Sequence, residues 1–335
     1  MDRPEAQLGA DALTDANADS EPRVVDAGVG FGHGKVILLG EHAVVFGYPA
    51  LAAGLSKGLR ARAHTHGGAD RLTVPRLQLD VSRGHDSPVG RAWTAILDRL
   101  KVGAVDVLVD GDLPASAGLG SSAAWAFAVA SAVASAYGHP REAALAAAHD
   151  AEVIFHGTPS GIDLAAASTG VVGRFQRESG WVSVPVLQPM TLCVGLSGRT
   201  RETRALVDGV RRLRERTSVV TQVMDTMGAV VEAGARALGE GHIDELGRLF
   251  DIAHGLLAAL RVSSPELEAL VHAARAAGAI GAKLTGAGGG GAVIALAPGH
   301  EKDVLERWQR DGFEGFATTI AGAQQGDGLS LTDLS

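Results

Sequence analysis

The chain has 335 residues, of which 46% are hydrophobic and 20% charged, a balance that suits a globular protein with a large core and excludes a disordered or collagen-like chain. A formal net charge of −8 argues against general nucleic-acid binding, where a basic surface supplies most of the affinity. A single cysteine, Cys193, excludes an intramolecular disulfide framework and fits a reducing, cytoplasmic setting.

Residues 1–22 are polar, acidic and alanine-rich, lack the apolar stretch of a secretory signal, and read as a disordered tail. "KVILLGEHAVVFGYPALAAGL" (residues 35–55) opens as a buried strand, turns at Gly40, and resumes after Gly47-Tyr48-Pro49. Residues 60–81 read as strands with loops, 91–101 as a helix and 105–109 as a short strand. "DLPASAGLGSSAAWAFAVASAVASAY" (residues 112–137) follows: a loop, then a helix of small apolar residues too short and too serine-diluted to span a membrane. A second helix is expected over 141–154, with Pro140 at its start. "FHGTPSGID" (155–163) breaks it, and "WVSVPVLQPMTLCVGL" (181–196) reads as strand. The charged segment 199–216 begins a helical half that lasts to about Gly278. "AKLTGAGGGGAVIALAPG" (282–299) reads as strand, glycine loop, strand, and the tail past Gly322 is polar. The change from strands to helices puts a domain boundary near 188–198. The expected division is a tail at 1–22, an N-terminal ATP-binding domain at 23–190, a C-terminal domain at 191–325 and a tail at 326–335.

Three glycine-rich stretches are candidate anion sites. "GVGFGHGKV" (28–36) looks like a Walker A loop but fails it, because Val29 stands where a glycine is needed and Val36 where Ser or Thr is needed. Gly118-Leu119-Gly120-Ser121-Ser122-Ala123 fits the permissive dinucleotide pattern. The preceding turn is too long for a Rossmann unit, however, and no strand ending in Asp or Glu follows. Its bare N–H groups and the helix behind it still suit an anion. The third, Gly286 to Gly291, leads into a strand rather than a helix, so its backbone packs against a ligand or a neighbouring element.

Together "GKVILLGEHAVVFGYPALA", "LPASAGLGSSAA" and "KLTGAGGGG" resemble the three signature motifs of the GHMP kinase superfamily, in order and in spacing. "AEVIFHGTPSGID" (151–163) and "RETRALVDGV" (201–210) narrow the resemblance to its mevalonate kinase family, over roughly residues 28–298. The resemblance implies an α+β fold of two domains, the first like ribosomal protein S5 domain 2 and the second ferredoxin-like. It also implies ATP as phosphoryl donor, Mg²⁺, mevalonate as the small-molecule partner, and a homodimer as candidate assembly.

By the same resemblance Gly118, Leu119, Gly120, Ser121 and Ser122 hold the triphosphate, with Gly286, Gly288 and Gly289 facing them. Ser122 and Glu152 are the expected Mg²⁺ ligands, weighed against the lesser alternatives of an ordinary helix cap and a solvated helix residue. Asp163, otherwise a natural helix cap, is the expected base for the mevalonate C5 hydroxyl, and Lys35 its partner beside the phosphates. Glu41, His42 and Thr203 are the expected substrate-side residues. His42 and the 199–204 segment are candidate cations for the substrate carboxylate.

The sequence departs from the family in three places. Leu164 follows Asp163 where Asn is frequent, Ser168-Thr169-Gly170-Val171-Val172 replaces a longer Ser-Thr-aromatic-Gly-Gly element, and Ala292 stands where Cys is common. The first two lie on the substrate side. A GHMP-type kinase of another alcohol or a sugar therefore stays open, as does a non-catalytic nucleotide sensor. The sensor is weakened by the presence of both Asp163 and Lys35.

Overall fold

The computed structural model describes residues 28–114, 117–199 and 203–320. The expected terminal tails, 1–22 and 326–335, lie outside them, as do Thr200, Arg201 and Glu202 of the charged segment.

The first half is built on β1 (Gly28–Leu39), β2 (Ala50–Thr65), β3 (Arg71–Val74), β4 (Leu79–Ser82), α1 (Pro88–Leu100), β5 (Val105–Gly111), α2 (Ser121–Ala136), α3 (Arg141–His156), α4 (Ile162–Thr169), β6 (Val172–Gln176) and β7 (Gly180–Ser183). The strands form one sheet in the order β4-β3-β5-β2-β6-β7, with β1 paired to the long β2. Antiparallel pairing dominates, and β3 with β5 is parallel.

The second half runs β8 (Met190–Leu196), α5 (Thr203–Arg216), α6 (Val219–Glu240), α7 (Ile243–Ala259), α8 (Pro265–Ala276), β9 (Gly281–Thr285), β10 (Ala292–Leu296), α9 (Glu301–Arg310) and β11 (Glu314–Ile320). Its strands form an antiparallel sheet in the order β11-β8-β10-β9. That order, fourth-first-third-second, is the ferredoxin-like arrangement, here with extra helices between its first two strands. The expected strand over 181–196 is two strands in two different sheets: the chain leaves the first sheet after Ser183 and starts the second at Met190.

The stretch 28–34 is not a loop but the first part of β1, and its glycines have a packing cause. Gly28, Gly30 and Gly32 share one strand face, and that face lies flat on α2. A Cβ on them would meet the carbonyl oxygens of Ala132, Ala128 and Ala124 at 2.1, 2.0 and 1.9 Å. Two residues of strand advance about 6.6 Å and four residues of helix about 6 Å, so the two small-residue stripes stay in step. The contact explains why α2 is mostly alanine: it is buried nearly all round, with β1 on one side and α3 on another.

The core follows from these layers. Trp93, Ile96, Leu97, Val107, Phe127 and Val133 fill the space between the first sheet and helices α1 to α3. Val36, Leu38, Leu51, Leu192, Ile294 and Phe250 belong to one cluster that joins the two sheets. Helices α8 and α9 close the far side of the second sheet through Leu270, Val271 and Trp308. Cys193 is buried there, which pushes its thiol up to about 12. Such a thiol stays protonated and unreactive.

The close packing gives a paired test by denaturant unfolding. Gly30→Ala should cost about 3 kcal/mol or more, because backbone must move to admit the methyl group. Gly255→Ala, at an exposed position of helix α7 with nothing near its Cβ position, should instead stabilise by about 0.5–1 kcal/mol. Equal effects at the two sites would refute this account of the β1 glycines.

Candidate active site

One cleft of about 470 Å³ collects residues from six parts of the chain, among them Lys35, Glu41, Ser122, Glu152, Asp163 and Gly286. An apolar pocket of about 250 Å³, with Trp125 and Phe155 in its wall, shares Ser121 and Ser122 with it.

Lys35 arrives on β1. The ladder to β2 is irregular between His33 and Lys35, a bulge that sets the direction of the lysine. The Lys35 N–H donates to Leu119 O at 2.8 Å, which ties the strand to the Gly118–Ser122 loop. The side chain runs over Gly120, whose missing Cβ would lie 2.6 Å from Lys35 Cγ. Nζ ends 3.0 Å from Asp163 Oδ1. Lys35 is buried and Asp163 is partly open to the cleft.

The Gly118–Ser122 loop ends in α2, whose N-cap is Gly120 with φ +72° and no side-chain cap. Ser122 is therefore not the cap, and the first amides of the helix face the cleft without a side-chain acceptor. Asp163 is likewise not a cap: Gly161 takes that place in α4, which frees the carboxylate for Lys35.

Glu152 sits on α3, 2% exposed, with Oε1 lacking any hydrogen-bond partner. Burial first, then the nearby Asp163 charge, lift its carboxyl to about 7; a bond from Ser122 and the charge of Lys35 act the other way. Helix α3 runs on to His156, beyond the expected end at 154. His156 thereby stands one turn from Glu152, with Nε2 3.9 Å from Glu152 Oε2 and 3.0 Å from Ser122 Oγ. His156 stands in the "FHGTPSGID" stretch, but the sequence alone assigned it no role.

Glu41 and His42 follow β1 at the turn. Glu41 is almost fully buried and forms an ion pair with Lys283 of β9, itself fully buried. Lys283 also donates to Leu284 O at 2.7 Å. Sequence reasoning missed this lysine, although a charge within the apolar run of "AKLTG" signals a buried partner. His42 has φ 60°, a strained value outside glycine. Its Nε2 donates to Ala287 O at 2.8 Å, and Nδ1 is buried without a partner. Burial lowers the His42 pKa, against the smaller opposing effect of the Ala287 bond. A neutral ring with its proton on Nε2 offers Nδ1 as an acceptor, which departs from the expectation of a cation here.

The third glycine loop stands opposite the Gly118–Ser122 loop. Cβ positions on Gly286 and Gly291 would lie 3.9 Å from Gly118 O and 3.3 Å from Ala117 O. Gly288 has a different constraint: its Cβ would meet Val262 O at 2.0 Å, and Gly289 N–H donates to the same oxygen. Of the expected positions in this loop, Gly286 lines the cleft, while Gly288 and Gly289 anchor the loop to the end of α7. Thr203 lines the cleft from the start of α5, together with Val207.

Known proteins resemble the chain along most of its length. The GHMP kinases N-terminal domain matches residues 87–171, and the GHMP kinases C-terminal model matches 235–314. The mevalonate kinase of Pyrococcus horikoshii is 36% identical over 298 residues, covering 81% of this chain and 88% of its own. That of Thermococcus sibiricus is 34% identical over 329 residues, covering 90% and 97%. Among solved structures, L. major mevalonate kinase in complex with R-mevalonate superposes with a TM-score of 0.80 at 28% identity, covering 90% of this chain and 98% of that one. The chain belongs to the GHMP kinases, and within them to the mevalonate kinase family.

Proposed function

We propose that the chain transfers the γ-phosphoryl group of ATP to the C5 hydroxyl of (R)-mevalonate, as a cytoplasmic enzyme of isoprenoid precursor synthesis. The observation that carries this reading is the Lys35–Asp163 pair, 3.0 Å apart in a cleft that also presents the uncapped amides of α2. Relatives named as mevalonate kinases, about a third identical over most of their length, supply the substrate.

Asp163 accepts the proton as the substrate oxygen attacks the γ-phosphorus. The new O–P bond forms while the bond to the β-phosphate oxygen breaks, and ADP leaves with the electron pair. Lys35 balances charge between the carboxylate and the transferring group. The N–H groups of Gly120, Ser121 and Ser122 and the dipole of α2 hold the phosphates. The opposite wall is Gly286 in the third loop, where a bare backbone lets a bulky triphosphate pass.

The donor set fits Mg²⁺. Glu152 Oε1 is a buried oxygen with no partner, and the Ser122 hydroxyl stands beside it. Two protein oxygens suit an ion that completes its shell with phosphates and water. Among the described residues no group of three or more His, Cys, Asp or Glu gathers as a metal cage, which agrees with that division. Bound there, Mg²⁺ supplies charge neutralisation on the phosphate oxygens.

On the substrate side, His42 Nδ1 accepts from a substrate hydroxyl, and Glu41, paired with Lys283, lines the same cleft. Arg199 is engaged by Glu266 at 2.6 Å, and the 199–204 segment, which reaches the cleft at Thr203, is the candidate source of a cation for the substrate carboxylate.

Three measurements test this reading. A panel of alcohols assayed for ADP release should give turnover with (R)-mevalonate and none with galactose or N-acetylhexosamines. The reverse pattern would leave the family intact and remove the substrate. Asp163→Asn should lower kcat by roughly 10²–10⁴-fold with nucleotide affinity little changed. Turnover near that of the wild type would remove Asp163 as base. The third is a pH profile of stability for Glu152→Gln against wild type. A folded carboxyl at about 7 against an ordinary unfolded one makes the native state bind the extra proton between the two. Wild-type stability therefore falls as pH rises from about 4.5 to about 7 and then levels, by about 3 kcal/mol relative to the variant. Parallel profiles would show that Glu152 is not held in a desolvated place.

A further inference from the structure

The Ser122 hydroxyl carries one proton and two lone pairs. As a cation ligand it must offer a lone pair to the cleft, so its proton needs an acceptor elsewhere. Two acceptors are in reach. One is Glu152, which the hydroxyl already reaches; a cation held there would take up that carboxylate and leave the proton to the second acceptor. The other is His156, whose Nε2 is 3.0 Å from Ser122 Oγ.

His156 is placed well for this. It ends α3, and Gly157 with φ +71° turns the chain away directly after it. It lies four residues from Glu152, on the same helix face, so one helix presents both groups to Ser122. The ring is half exposed, and in the tautomer with its proton on Nδ1 the Nε2 beside Ser122 is an acceptor. Glu152 Oε1 keeps no protein partner in this arrangement.

We propose that His156 is a positioning residue for Ser122: its Nε2 accepts the hydroxyl proton and fixes the rotor, so that the Ser122 lone pairs and Glu152 Oε1 converge on one point. The inference rests on the reading of Ser122 and Glu152 as cation ligands. It assigns to His156 no contact with substrate. Partners that orient a metal ligand usually change metal affinity by about 10–100-fold when removed.

The test uses Mn²⁺ as a paramagnetic probe and a non-hydrolysable ATP analogue, with the full chain. His156→Leu should weaken Mn²⁺ binding to the enzyme–analogue complex by about 10-fold or more. Affinity for the analogue in EDTA should not change. His156→Gln, which restores an acceptor oxygen at similar reach, should recover most of the loss. The double variant Ser122→Ala/His156→Leu should bind Mn²⁺ no more weakly than Ser122→Ala alone, since both remove one interaction. Unchanged Mn²⁺ binding in His156→Leu, with binding impaired in Ser122→Ala, overturns the positioning role alone. An equal loss of analogue affinity in EDTA overturns it too, because His156 would then touch the phosphates directly. Unchanged binding in Ser122→Ala overturns the underlying assignment of the cation ligands. Thermal unfolding of each variant checks that the half-exposed site has not cost the fold.

Discussion

Everything in the cleft depends on how closely β1 approaches α2. With side chains in between, the strand and the helix would stand about 10 Å apart, as packed layers do. With glycine on one surface and alanine on the other they touch backbone to backbone. Lys35 lies three residues beyond Gly32 on that strand, and Ser121 and Ser122 begin that helix. The lysine and the anion-holding amides are thus fixed by one contact. The hydrogen bond from Lys35 N–H to Leu119 O is its immediate result. Packing and the candidate site are linked here, because the distance between Lys35 and the amides of α2 is set by a stripe of absent side chains.

The two carboxylates near Lys35 show how burial divides labour. Asp163 sits at a helix start, partly open, with the ammonium of Lys35 against it. Glu152 is enclosed by α3 and its neighbours and is left with an orphan oxygen. Leaving a buried carboxyl oxygen without a partner is unfavourable, and a protein keeps such a feature where a ligand supplies what is missing. Pairs of titratable groups whose surroundings differ in this way separate an ion-paired base from a group held ready for a cation.

Much of this was legible in the sequence, for physical reasons. Glycine loops ahead of apolar helices carry a local signal, since bare amides and helix ends are properties of the nearby chain. Lys35, Ser122, Glu152 and Asp163 were picked out by their places in motifs that resemble the family's, since residue type alone also allowed a cap or a solvated residue. The stretch 28–34 was harder: its glycines imitate a loop, and only the alanine spacing of α2, a hundred residues on, explains them as strand. The two-strand nature of 181–196 was hidden because apolar runs do not reveal which sheet they join. Lys283 and His156 were missed for one shared reason. Their partners, Glu41 and Ser122, are remote in sequence, and a motif that contains a lysine or histidine does not say which distant side chain it will meet.

The junction between β1 and β9 has a consequence for how the chain reaches this state. Thr285 Oγ1 accepts from Ile37 N–H at 2.9 Å and donates to Ile37 O at 3.0 Å, two bonds spanning 248 residues. The Glu41–Lys283 pair beside them spans 242. Until β9 is in place, Glu41 is a charge on the edge of an unfinished core. Contacts this distant demand loop closure before they return any stabilisation, which slows folding and delays their formation. During synthesis the first sheet and α2 emerge long before β9, so the triphosphate-facing wall can exist while the wall opposite is still unmade. A nascent or truncated chain then carries a half-cleft with an unpaired acid at its rim. Nucleotide binding to the native state alone would draw that last closure forward by mass action.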